Sequence, residues 1–183
     1  MGMVPSASGV ARALAFNGKG IFFILSPFNV RIWIHMENPE FHTFMREAIK
    51  EARLGLSEGG IPIGSVMVKD GKIIGRGRNK RVQEGSQIRH SEMDCLENAG
   101  RMKNFEGVTL YSTLMPCYMC SGAIIGFNIK RVVVGESENF SEGKEFLKDH
   151  GVEVIDLDLE ECKTMMAEFI KNNPSLWKED IAE

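Results

Sequence analysis

Residues 108–134, VTLYSTLMPCYMCSGAIIGFNIKRVVV, decide how this chain is read. The spacing predicts a strand over 108–112, an apolar helix over 117–127 with Pro116 just before it, and a second strand over 131–134. Strands linked by a helix of this length belong to one α/β sheet. Upstream, Phe41, Phe44, Met45, Ala48, Ile49, Ala52 and Leu56 recur at helical spacing, with Arg46, Glu47, Lys50 and Glu51 on the other face. Gly55 and then Gly59-Gly60 end that helix. Residues 62–68 form a short apolar strand, and Asp70-Gly71 signals a hairpin into a return strand that runs toward Asn79. Lys80 to Arg89 reads as a long loop without structure of its own, of the kind that often carries function. A helix is expected over 90–99, stopped by Gly100. Downstream, a short helix is expected over 142–148 and a strand over 152–155. A helix carries the stripe Leu159, Cys162, Met165, Met166, Phe169 and Ile170, and a last short helix covers 175–182 with Ser175 as its cap. The sum is a three-layer α/β/α sandwich with a five-stranded mixed sheet.

The chain has 183 residues, 43% hydrophobic and 26% charged, which excludes a mostly disordered or collagen-like protein. Its net charge of −3 gives no strong attraction to nucleic acid. Residues 1–36 hold Arg12, Lys19 and Arg31 and no acid, a formal +3, which leaves −6 for the rest. Residues 1–36 are therefore read as a leader outside the fold, and 37–183 as the domain. The favoured explanation is a start called too early, with Met36 as the first residue. A transit peptide is the alternative, since the segment is basic, acid-free and contains Ser; the apolar run at 20–25 also resembles a short signal core. The expected location is cytoplasmic, with organelle targeting by 1–36 as the other possibility. No run reaches the ~18 apolar residues that a membrane helix needs.

Chemistry is concentrated in His90-Ser91-Glu92 and Pro116-Cys117-Tyr118-Met119-Cys120. Each segment alone is weak, and the two together are strong. Zinc takes imidazole nitrogen and thiolate sulfur in a tetrahedral site, and a catalytic site keeps one of its four positions for water. His90, Cys117 and Cys120 supply three ligands. Cys117 and Cys120 are one turn apart at a helix N-terminus, whose partial positive charge favours thiolate. Glu92 stands where it can take a proton from the zinc-activated water and return it elsewhere. A closed structural site would need Cys95, which points about 140° away from His90 on the same helix. A redox pair without metal is the remaining alternative. Cys95 and Cys162 fit core packing.

The pair His-x-Glu and Pro-Cys-x-x-Cys is the signature of zinc nucleobase deaminases. From about residue 40 the chain resembles the yeast-type, zinc-dependent cytosine deaminases of the cytidine deaminase-like superfamily. Shared segments include Glu58-Gly59-Gly60-Ile61-Pro62-Ile63-Gly64, Leu96-Glu97-Asn98, Gly122-Ala123-Ile124-Ile125, Asn139-Phe140 and Trp177-Lys178-Glu179-Asp180-Ile181. The resemblance implies one Zn2+ per chain, a homodimer and hydrolysis of free cytosine to uracil and ammonia. It implies that Asn79 bonds the carbonyl side of the base and Glu92 its N3. Asp180 would recognise the amino group, and Phe140 and Trp177 would cover the ring beside Ile63. Ser91 stands where the yeast-type enzyme has Gly, its backbone N–H still available to the base, and Met115 stands where that enzyme has Ser. Both departures bear on the base accepted, not on the zinc chemistry.

The same zinc motifs occur in tRNA adenosine deaminases, which need a basic surface. Arg76, Arg78, Lys80 and Arg81 are the cations near the pocket, read here as a solvated strand end and loop. No nucleic-acid or membrane partner is expected. Deamination of another aminated heterocycle is a second alternative. A non-catalytic zinc-binding interaction module is a third, and the presence of Glu92 argues against it.

Overall fold

The computed structural model describes residues 39–181 and, within 1–38, the backbone of three strands. Two compact units divide the chain between Glu40 and Phe41. In the first, β1 (Ala15–Asn17), β2 (Ile21–Leu25) and β3 (Arg31–His35) form an antiparallel meander, with Phe23 in register with both Ala15 and Trp33. Residues 21–25 of the apolar run read from sequence as a possible signal core are thus the middle strand. The leader readings otherwise lie outside the described residues.

The second unit starts from α1 (Pro39–Ser57) and the hairpin β4 (Gly64–Lys69) and β5 (Lys72–Arg78). Asp70 and Gly71 both take positive φ, 51° and 70°, as a two-residue hairpin of primed type requires. Then come α2 (Arg81–Glu84), α3 (Ser91–Ala99), β6 (Thr109–Ser112), α4 (Tyr118–Gly126) and β7 (Arg131–Val134). The unit ends with α5 (Gly143–Asp149), β8 (Glu153–Asp156), α6 (Glu160–Asn172) and α7 (Pro174–Asp180). The sheet order is β5-β4-β6-β7-β8. Strand β4 is antiparallel to β5 and β6, while β6, β7 and β8 run parallel, so the sheet is mixed with five strands as expected.

Alternation along the strands builds the two faces. Val66, Val68, Tyr111 and Val133 pack with Met45, Ala48 and Ile49 of α1 and Cys162 of α6. Met67, Leu110, Val132 and Val134 pack with Cys95 and Leu96 of α3, Ile124 of α4 and Leu147 of α5. These are the three layers. Each such aliphatic side chain contributes about 1.5–3 kcal/mol by leaving water. Cys95 and Cys162 lie fully inside, in line with packing roles, and burial pushes the Cys162 thiol up to about 12. A third cluster, Ile61, Ile63, Leu114, Met166, Phe169 and Trp177, joins α6 and α7 to the end of the sheet.

Two expectations change. Residues 80–89 are not without structure: Arg81–Glu84 forms one helical turn, closed by Gly85 at φ 59°. The last helix begins at Pro174 with Asn173 before it, so Ser175 is not its cap. Proline at the first helical position forfeits no hydrogen bond.

Candidate active site

Two helix starts meet at one end of the sheet. His90 is the residue before α3, and Cys117 the residue before α4. Helix α3 reaches that place by lying directly on β5. A Cβ at Gly77 would overlap the Cys95 amide nitrogen and the Ser91 carbonyl, so only glycine permits the approach. Cys117 and Phe140 both lie on connections leaving the carboxyl ends of parallel strands, β6 and β7, the place where ligands sit in sheets of this kind.

His90 Nδ1 or Nε2, Cys117 Sγ and Cys120 Sγ offer donor atoms within 4.8 Å of one another. The nitrogen facing the sulfurs is Nδ1, 3.6 Å from Cys117 Sγ. His90 Nε2 stands 4.0 Å from Asp180 Oδ1, so a carboxylate flanks the other side of the ring. One imidazole and two sulfurs at two helix N-termini fit zinc, and three protein ligands leave its fourth position open. Cys95 is not in the cluster, so these residues do not form the closed structural site. Cys117 is drawn down to about 4 by the Cys120 S–H and, against burial, by His90, while Cys120 is raised by its bond to Cys117 and by burial.

Glu92 is buried. Burial first, and the charge of Cys117 second, raise its carboxyl above the ordinary range. The Ser91 hydroxyl donates to Glu92 Oε2 at 2.9 Å, and Ser112 Oγ donates to Oε1 at 3.4 Å. A hydroxyl has one proton. With that of Ser91 given to Glu92, Ser65 is the donor in the 2.8 Å Ser65–Ser91 contact. The side chain that departs from glycine at position 91 therefore anchors Glu92.

A cavity of about 250 Å³ opens over this centre. Ile63, Ser91, Met115, Phe140, Trp177 and Asp180 line it, together with His90, Glu92 and Cys117. Phe140 and Trp177 meet edge to face, centroids 5.9 Å apart at 86°. Asn79 is placed differently from the rest. It is fully buried behind Asp180, to which its Nδ2 donates at 3.3 Å, while its Oδ1 accepts from the Arg81 N–H. Sequence reading missed six further lining residues, Gln87, Leu114, Tyr118, Met119, Glu142 and Ile181. Ile181 sits beside the Trp177–Asp180 signature, and Tyr118 and Met119 lie between the two cysteines of the zinc motif, so these three were within reach of the sequence; Gln87, Leu114 and Glu142 carry no local signal.

The cations near the cavity are not a free basic patch. Arg76 pairs with Glu47 at 2.7 Å, Arg78 with Glu58 at 2.8 Å and Lys80 with Asp94 at 3.1 Å. Arg81, expected as a solvated charge, is only 8% exposed and pairs with Asp180 at 2.8 Å. Among the described residues no helix is long and apolar enough to cross a membrane.

A buried carboxyl beside a His-Cys-Cys donor set, under an aromatic roof on this sheet, has the makings of a zinc-dependent deaminase. Residues 39–136 match the model of the cytidine and deoxycytidylate deaminase zinc-binding region, and the chain belongs to this family. It is thus a deaminase, a hydrolase acting on cyclic amidine C–N bonds, and its family implies zinc. The cytosine deaminase of Candida albicans is 47% identical over 142 residues, covering 76% of this chain and 95% of that one. The tRNA-specific adenosine deaminase of Bacillus subtilis is 37% identical over 142 residues, covering 70% and 87%. Among solved structures, a tRNA A34 deaminase that edits the wobble position is similar at TM-score 0.56 and 30% identity, covering 64% of this chain and 98% of that one. The guanine deaminase of Nitrosomonas europaea reaches TM-score 0.62 at 21% identity, covering 72% and 84%, a likeness of fold.

Proposed function

We propose that this chain deaminates free cytosine to uracil and ammonia, with one zinc held by His90, Cys117 and Cys120. The observation that carries the reading is the small roofed cavity. At about 250 Å³ it lies below the usual range of about 300–1,000 Å³ for drug-sized ligands, and Phe140, Trp177 and Ile181 in its wall favour a free base over one carrying a ribose. The 47% identity to a cytosine deaminase supports the same substrate.

Zinc bound there supplies an acidified water at neutral pH. With the water held there, Glu92 would take one of its protons and deliver it to N3 as the oxygen bonds C4, then carry the remaining hydroxyl proton to the amine as the C4–N bond breaks, leaving uracil and ammonia. Its hydroxyl anchors, Ser91 and Ser112, hold the carboxyl in place through these transfers. Phe140 and Trp177 cover the faces of the base and exclude bulk water. Asp180 accepts from the amino group. Asn79 bonds the carbonyl side once its amide is released from Asp180, or else acts through Asp180.

The tRNA adenosine deaminase reading needs a surface for phosphates, and the paired state of Arg76, Arg78, Lys80 and Arg81 argues against it. We further propose a homodimer, supported by the exposed Tyr118, Met119 and Phe127 around the apolar helix α4. We propose a cytoplasmic location and a role in pyrimidine salvage along with that substrate. Residues 37–183 are the deaminase domain in this reading, supported by a family match that begins at residue 39.

The test is ammonia release from cytosine, other aminated bases, cytidine and tRNA by the zinc-loaded protein. Turnover of cytosine alone, abolished in Glu92→Gln, is expected. Salt-sensitive turnover of tRNA with cytosine inert would overturn the reading.

A further inference from the structure

Arg81 has no part in the chemistry above, yet its side chain is only 7% exposed. Its guanidinium reaches two residues of the cavity wall at once. Nη1 donates to Asp180 Oδ1 at 2.8 Å, and Nη2 donates to Gln87 Oε1 at 2.6 Å. Nη2 also stands 3.7 Å from Glu179 Oε1. The Arg81 amide N–H donates to Asn79 Oδ1, and Asn79 Nδ2 returns to Asp180 Oδ1.

This arrangement matters because of what else holds α7. Trp177, Leu176 and Ile181 dock by apolar contact, which does not fix orientation. Among the described residues, the polar links from α7 to the rest of the domain all end on Asp180 and Glu179, and come from Arg81, Asn79 and the more distant His90. The strongest are those of Arg81. A planar guanidinium fixes direction as well as distance, which a single ammonium does not.

We propose that Arg81 is a positioning residue, the latch that holds α7 over the cavity and orients Asp180 and Gln87 toward the base. The proposal rests on the deaminase reading above and deepens it. With Asp180 Oδ1 occupied by Arg81 and Asn79, Oδ2 is the oxygen left to accept from the amino group of the base. With Gln87 Oε1 occupied, Nε2 is the atom left to donate, to a carbonyl or ring nitrogen. Gln87 thereby becomes a specificity residue for a base that offers an acceptor at that edge. The latch acts on binding and closure, not on proton transfer.

The experiment uses the full-length, zinc-loaded chain with Arg81→Met, Arg81→Lys, Asp180→Asn and the Arg81→Met/Asp180→Asn pair. Loss of charge-assisted hydrogen bonds raises KM for cytosine roughly 10- to 100-fold in Arg81→Met. Zinc content stays unchanged and kcat falls less. Arg81→Lys, which keeps the pair with Asp180 and loses Gln87, falls between. In the double variant the effects overlap instead of multiplying, since Arg81 acts through Asp180. A structural readout runs in parallel. The chain has two tryptophans, Trp33 and Trp177. In a Trp33→Phe background, acrylamide quenching reports on Trp177 alone and increases when the latch is cut. The proposal is overturned if folded, zinc-loaded Arg81→Met keeps its KM and quenching, or if the single effects multiply fully. If Arg81→Met does not fold, Arg81→Lys carries the test: an unchanged KM overturns the latch. If the wild-type protein does not turn over cytosine, the substrate reading fails by itself. The latch is then judged on Trp177 quenching, and unchanged quenching overturns it.

Discussion

His90 and Cys117 line the cavity from the starts of α3 and α4, with Cys120 buried in the first turn of α4, whereas Trp177 and Asp180 line it from a seven-residue helix at the other end of the described chain, followed by Ile181. The metal end is built on helices sandwiched against the sheet, and its polar groups are buried: Ser65, Ser91, Glu92 and Ser112 are each at most 4% exposed. The lid end rests on one apolar cluster and a latch of charged groups. The first arrangement preorganises charge for proton transfer. The second is held by few polar groups, which suits a site that must admit and release a base. Substitutions at the metal end are therefore expected to lower kcat, and those at the lid end to raise KM.

The largest effect is expected from removing a donor. Cys120→Ser loses zinc on dialysis, measured as metal per chain, and turnover disappears with it. Glu92→Gln is the sharper case. Its kcat for cytosine falls by about 10²–10⁴-fold while zinc is retained, and retention of activity would break the comparison at its strongest point. At the lid, Trp177→Ala raises KM for cytosine roughly tenfold or more and admits cytidine, with little change in zinc content. A drop in kcat alone would show that the lid belongs to the chemistry after all. Ser91→Gly removes one hydroxyl bond to Glu92. The corresponding loss in kcat is about 3- to 10-fold, read from kcat at constant zinc.

The smallest effect concerns the segment carrying Phe140. Burial raises the Asp156 carboxyl, but Ser137, the Asp158 amide and Lys144 outweigh it and hold it below its ordinary 3.8. Its folded-state value is thus lower than its unfolded one. The stabilisation is present above the unfolded value and is lost as pH falls through the folded one. Asp156→Asn is less stable near neutrality, by less than about 1 kcal/mol for a partly exposed pair. The gap closes in thermal melts as pH falls below the ordinary value of 3.8 and through the lower folded-state one.

The two ends also differ in how far sequence discloses them. His90 and Cys117 are 27 residues apart, but each sits in a short motif, and the two motifs together name the zinc ligands. Glu92 falls in the same motif. The alternation of strands and helices was equally readable, because burial on both faces of β4, β6 and β7 leaves continuous apolar runs. Arg81 lies 99 residues from Asp180, and nothing near either residue announces the pair. Read locally, each is an ordinary surface charge. The turn at α2 was hidden for a related reason, since four residues give too short a period to read. Pro174 was a legible helix start that the Ser175 assignment passed over. The hydroxyl chain from Ser65 through Ser91 to Glu92 joins β4 to α3, and such contacts appear only once the sheet and helix are packed.

The comparison turns on the claim that the metal end supplies catalysis and the lid selects a free base. The measurement that meets it most directly is the ratio of kcat/KM for cytosine to that for cytidine, taken on the zinc-loaded wild-type protein and on Trp177→Ala. The expected result is a large ratio in favour of cytosine that shrinks in the variant. Equal or better turnover of cytidine by the wild type would contradict it.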